Sequence, residues 1–191
     1  MKKLQLTIVL AFIFAASGTI VANEGDKKEV NIENSKVTWK AYKVTGSHTG
    51  TIDLISGALE FDNDVLTGGT FSVDMSTLVS TDLEGEYKGK LEGHLKSDDF
   101  FGVATHPKAE LAFTQVSPSG KNSYDVTADL TIKGITKSIT FTLSVYGSKA
   151  TASLKVDRAE YDVRYGSGSF FENLGDKTIY DEFDIIVDLE F

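Results

Sequence analysis

The chain has 191 residues, with 28 Asp plus Glu against 19 Lys plus Arg, a formal charge of −9 and no cysteine. That length suits one domain, and the missing thiols exclude disulfides, thiolate zinc or iron–sulfur sites and a lipid-modified cysteine. The acidic balance argues against nucleic acid as a partner, since an electrostatic binder needs a basic face.

Met1-Lys2-Lys3 precedes an apolar run from Leu4 to Ala16, and the small residues Ala15, Ala16, Ser17 and Gly18 close it. This reads as a secretory signal peptide over residues 1–22, cut after Ala22, with Ser17 and Gly18 the alternative exits. The apolar core falls short of the ~20 residues that a spanning helix needs. The expectation is an exported protein, periplasmic or secreted, with no stable membrane span. Loss of Lys2 and Lys3 moves the charge to roughly −11. Residues 23–35 are polar without a period and read as a leader, which leaves 36–191 as a single domain.

Period-two alternation then dominates. It begins at Val37, Trp39 and Ala41, and returns at Phe71, Val73 and Met75. Residues 81–96 break it. Thr81 and Glu84 have capping-box spacing, and Tyr87, Leu91 and Leu95 form an i, i+4, i+8 stripe, which predicts a short helix around residues 82–95. Gly85, Gly89 and Gly93 weaken it by ~1 kcal/mol each relative to Ala, so it depends on docking to the sheet. Alternation resumes at Ala109, Leu111, Phe113, then over Tyr124 to Ile132, Ile139 to Val145, Ala152 to Val156, and Phe183 to Phe191. Apolar and polar residues take opposite faces in each. Ser56-Gly57, Asp62-Asn63-Asp64, Pro118-Ser119-Gly120, Lys133-Gly134 and Tyr146-Gly147-Ser148 read as turns between strands. Residues 166–180 form a long connection with room for one helical turn. About eight antiparallel strands with one apolar face need a closed barrel or a two-sheet sandwich.

Catalytic signatures are missing. His48, His94 and His106 are far apart and make no metal-ligand pair. Gly166-Ser167-Gly168-Ser169 lacks the spacing of a nucleophile elbow and reads as a flexible turn. Asp125, Asp129, Asp184, Asp188 and Glu190 sit opposite apolar faces and read as solvated surface. In the cluster from Asp157-Arg158 to Arg164, one arginine can pair with an acid or meet an anionic head group at a barrel rim.

Several strings together resemble the YceI-like family of bacterial polyisoprenoid-binding proteins. They include Gly46-Ser47-His48-Thr49-Gly50-Thr51-Ile52, Lys90-Leu91-Glu92-Gly93-His94-Leu95-Lys96-Ser97, His106-Pro107, Leu130-Thr131-Ile132-Lys133-Gly134-Ile135-Thr136-Lys137, Asp157-Arg158 and Leu174-Gly175-Asp176-Lys177. The resemblance implies an all-β fold: an extended antiparallel eight-stranded up-and-down β-barrel, lipocalin-like, with an apolar tunnel. It also implies a partner that is an isoprenoid, a quinone or another long-chain lipid, and some such proteins are associated with stress responses. Neither enzymatic activity, cofactor nor metal is expected. The apolar candidates for the lining are Trp39, Phe71, Val73, Leu111, Phe113, Val126, Leu130, Phe141, Leu143, Phe183, Ile185 and Val187. The polar candidates near a mouth or loop are His48, Arg158, Tyr161 and Arg164. Whether the barrel is hollow or filled stays open, as does the oligomeric state, a homodimer included. The rival readings are a filled structural barrel acting through its acidic exterior, and a hydrolase or isomerase in the same barrel.

Overall fold

Alternating apolar faces demand a sheet that hides them on one side, and the computed structural model, which describes residues 25–191, achieves this by closure. The signal-peptide reading of residues 1–22 lies outside the described residues. The strands are β1 (Asp26–Glu29), β2 (Lys36–Lys43), β3 (Gly46–Asp62), β4 (Val65–Ser80), β5 (Lys108–Gly120), β6 (Ser123–Ile132), β7 (Ile135–Tyr146), β8 (Lys149–Asp157) and β9 (Ile179–Glu190), with one helix, α1 (Gly85–Lys96). The order β3-β2-β9-β8-β7-β6-β5-β4, with β4 pairing back onto β3, makes an eight-stranded antiparallel barrel. From β2 to β9 each strand pairs with its neighbour in sequence, β2 also pairs with β9, and closure satisfies the edges that an open sheet would leave bare.

Four expectations are corrected. The polar leader contains β1, which pairs with Ala58 to Phe61 along the edge of β3 beyond the reach of β2. Its sequence, Asp26-Lys27-Lys28-Glu29, has no strand pattern; the long partner strand supplies the ladder. Ser56-Gly57 is not a turn but a bulge inside β3, where the register against β4 shifts between Leu54 and Ser56. Gly57 is there because a Cβ would lie 2.8 Å from Phe71 Cδ1, the close approach that a strand glycine often marks. The turn between β5 and β6 is Lys121-Asn122, with Asn122 at φ 61°, and Pro118 lies within β5 opposite Tyr124. The capping box does not form: Glu84 is itself the cap residue, without a side-chain hydrogen bond, and Thr81 N donates instead to Thr49 O at 2.9 Å. Of the helical stripe, Leu95 is buried and Leu91 half-buried, while Tyr87 is exposed.

The two ends of the barrel differ. The hairpin end, where β3 turns into β4 and β7 into β8, is packed solid by Leu59, Leu66, Val126, Ala128 and Ala150, each at most 2 % exposed. At the other end α1 packs against β4, and Leu95, Phe100 and Phe101 reach inward. The wall is thinnest between β7 and β8, which pair only from Leu143 to Tyr146 with Lys149 to Ala152. Below that pairing the 3-10 turn Arg158–Tyr161 packs against β7 and β9. Tyr161 and Val163, both essentially fully buried, complete the wall there.

Candidate functional site

Inward-facing residues of the closed sheet enclose an apolar cavity with about 180 Å3 open to the centres of water molecules. Eleven of the twelve apolar candidates line it: Trp39, Phe71, Val73, Leu111, Phe113, Leu130, Phe141, Leu143, Phe183, Ile185 and Val187. Val126 does not. It is 1 % exposed and belongs to the packed hairpin end. Nine of the eleven, all but Trp39 and Leu143, are only half-buried although they point inward, because the hollow leaves one flank of each side chain uncovered. Phe71 and Phe113 rings stand 5.7 Å apart, and Phe113 and Phe141 rings 5.8 Å. Sequence reasoning missed Ile52 and Leu54, whose alternation is masked by the bulge that follows, and Phe100, Phe101, Ile179 and Tyr180, which come from connections without a period.

Trp39 shows how tightly the wall is drawn. It pairs across the sheet with Gly50 on one side and Ile185 on the other. A Cβ on Gly50 would sit 1.8 Å from Val79 O and 2.5 Å from the indole Cζ2. Only glycine lets that large ring lie flat against the wall.

The charged residues on the cavity wall are Glu110 and Arg158. Glu110 is exposed, on a strand whose flanking Ala109 and Leu111 turn inward. Arg158 was expected near a mouth or loop, paired with an acid or meeting a head group, and it lies in the 3-10 turn after β8 beside Asp181. It is 3 % exposed, and its guanidinium is spent on the protein. Nη1 donates to Val163 O at 2.8 Å and Tyr165 O at 2.9 Å, Nη2 to Ile179 O at 3.0 Å, and Nε to Tyr180 O at 3.2 Å. Asp181 Oδ1 stands 3.2 Å from Nη2, and the Phe100 ring lies 5.4 Å from the guanidinium carbon. Burial pulls the Arg158 pKa below its ordinary value, against the opposing pull of Asp181 and Asp157, yet an arginine stays charged. Arg158 therefore fastens both roots of the connection between β8 and β9.

Tyr161, expected near a mouth or loop, ends the same 3-10 turn. It is 1 % exposed, its hydroxyl has no partner, and it does not touch the cavity. Burial, then the charges of Glu160 and Asp157, push its phenol up to about 12. His48 sits near the start of β3, opposite Ala41 and half-buried, with Nδ1 2.9 Å from Asp82 Oδ2, and it is not among the cavity-lining residues. Asp82 Oδ1 accepts from Thr49 N and Ser80 Oγ. Burial acts to raise the Asp82 carboxyl, but hydrogen bonds from His48, Ser80 and Thr49 outweigh it and hold the group below the usual range. The cluster ties β3 to the end of β4, a structural role. His94 is half-buried against Phe100 and Tyr165. Among the described residues no group of three or more His, Asp or Glu is placed to hold a metal ion.

Arg164 is exposed. It bonds Asp162 through Nε, stacks on Phe170, and borders a second, outer cleft with Asp99, Tyr165, Gly166, Phe171, Leu174 and Lys177. Ser167, expected in a flexible turn, is fully buried and bridges to Ile179, so this connection is ordered. Among the described residues no helix is long and apolar enough to cross a membrane.

Comparison with known proteins agrees with this geometry. The YceI-like domain pattern matches residues 28–191. Protein YceI of Shigella sonnei is 29% identical over 155 residues, covering 77% of this chain and 74% of its own. A UPF0312 protein of Pseudomonas putida is 28% identical over 148 residues, with the same coverage. Burkholderia cenocepacia BcnA has a similar fold, with a TM-score of 0.68 at 22% identity over 84% of this chain and 98% of its own. A polyisoprenoid binding domain from Saccharophagus degradans gives a TM-score of 0.60 at 15% identity, over 85% and 97%.

Proposed function

Since this chain belongs to the YceI-like family, we propose that it binds one long apolar lipid chain, isoprenoid, quinone-tailed or similar, inside the barrel. The observation that carries this reading is the hollow itself. Protein interiors normally pack to the density of organic crystals, and an apolar void forfeits the dispersion contacts that a filled core would make. Eight strands are just wide enough to hold one small ligand. A lipid chain restores the lost contacts and removes its own surface from water, worth ~25 cal/mol per Å2. The lining asks nothing polar of the chain, which accords with an isoprenoid or acyl tail. The Saccharophagus degradans neighbour, a polyisoprenoid binding domain, supports the same class of ligand.

Binding rather than catalysis is the function in this reading, because among the described residues no nucleophile with a base in reach lines the cavity. Its lining is apolar apart from Glu110 and an arginine already committed to four carbonyls. The pattern over residues 1–22 supports export, so that the protein sequesters or carries its lipid in the periplasm or outside the cell. Native mass spectrometry of gently purified protein, followed by organic extraction, tests the reading. A discrete adduct that resolves into one long-chain lipid is expected. Protein that is empty and gains no thermal stability from any long-chain isoprenoid or acyl lipid overturns it.

A further inference from the structure

A second cleft opens outside the barrel cavity. About 450 Å3 is open to water-molecule centres there, between the loop after α1 and the connection between β8 and β9. Two cations reach it from the two legs of that connection. Arg164 precedes its Gly166-Ser167 bend, and Lys177 ends its second 3-10 turn. The legs are held together. Arg158 bonds carbonyls of Val163 and Tyr165 on one leg and of Ile179 and Tyr180 on the other, and Ile179 N donates to Gly166 O at 2.8 Å. The backbone segments that carry the two cations are thus held together before any ligand arrives, which lowers the cost of ordering them on binding.

Their donors are largely free. Asp162 takes Arg164 Nε alone, and Lys177 has no ion pair among the described residues. The opposing lip carries Asp99. Asp162 and Asp99 balance the two cations in number, so an oxyanion would be held by the donors still open on Arg164 and Lys177 rather than by a net charge. The cleft also backs onto the barrel cavity. Asp99 lines the cleft while the next residue, Phe100, lines the cavity. Tyr165 borders the cleft with its ring 4.3 Å from His94, and His94 meets Phe100 at 5.5 Å. Tyr165, His94 and Phe100 stand in succession between the two spaces, and Tyr165 is 50% exposed.

We propose that this cleft seats the singly charged head of the bound lipid, a carboxylate or a phosphodiester, on Arg164 and Lys177, with the chain running past Tyr165 and Phe100 into the barrel. The arginine fork and the lysine point charge suit such an oxyanion. This inference rests on the lipid-binding reading above. The test uses oleate and oleyl alcohol, one chain with two heads, titrated at pH 8 against the wild-type protein and an Arg164→Gln, Lys177→Gln double variant. Both positions are exposed, and unchanged unfolding confirms that the variant folds.

The wild type is expected to bind oleate about tenfold more tightly than the alcohol, the scale of a charge-assisted pair. The double variant is expected to bind both alike, with alcohol affinity unchanged. Equal binding of the two by the wild type, or a preference that survives the double substitution, overturns the head site while leaving barrel binding intact. Inorganic phosphate is the third arm: competition that narrows the oleate preference supports the site. Phosphate bound at Lys177 without any effect on oleate marks a free-anion site and overturns the proposal. If neither oleate nor the alcohol binds, the lipid-binding reading itself fails.

Discussion

Arg158 and Tyr161 are the first and last residues of one four-residue 3-10 turn and have opposite hydrogen-bond accounts. Arg158 satisfies four carbonyls and an acid; Tyr161 buries a hydroxyl with no partner. Arg158→Lys keeps a charge but loses the fork, stranding several buried carbonyls. It should cost about 3 kcal/mol, read as a fall in denaturant midpoint at constant m-value. Tyr161→Phe removes the orphan hydroxyl and should leave stability unchanged or raise it by up to about 1 kcal/mol. Its pH signature has a definite sign. The buried phenol titrates near 12, whereas an unfolded tyrosine titrates near 10. The protonated form is therefore favoured by folding: its contribution is whole below pH 10 and lost as pH rises from 10 towards about 12. Denaturant melts across that range should show a loss in the wild type that is smaller in Tyr161→Phe. The sequence marked both residues as notable but not their roles, because the carbonyls that Arg158 serves belong to a connection with no periodic signal.

At the scale of elements, alternation located β2 and β4 through β9, since each has one face on an apolar interior. It failed where the face changes or where a neighbour decides. In β3 Gly57, Ala58 and Leu59, just past the bulge at Ser56-Gly57, are buried in succession, which hides the period. β1 is polar throughout and exists because β3 outruns β2. The helix was legible from Leu91 and Leu95, but α1 begins only at Gly85, and Tyr87 in its first turn faces solvent. The consequence is a sharp contrast between two positions of the same stripe. Leu95→Ala should cost about 2–4 kcal/mol, while Tyr87→Ala should stay within about 0.5 kcal/mol. Paired urea melts check this, and equal losses would show that the whole stripe packs on the barrel.

At the scale of the molecule, the sequence left open whether the barrel is hollow or filled. Alternation says which side chains point inward, and says nothing of how far apart the opposing walls stand. The structure resolves this into a packed hairpin end and a hollow remainder. Leu59, fully buried at the packed end, should cost about 3 kcal/mol or more as Leu59→Ala. Phe141→Ala deletes more atoms, yet it borders space already empty, and should cost less than about 2 kcal/mol, below the usual range for a packed phenylalanine. Its effect should fall on lipid affinity instead. The central claim, that the hollow is the seat of a lipid chain, is tested most directly by a crystal structure of the protein saturated with a long-chain isoprenoid alcohol. The account predicts continuous chain density inside the barrel, in contact with Phe71, Phe113, Phe141 and Phe183. Lipid bound only on the outer surface, over an interior closed by its own side chains, would contradict it.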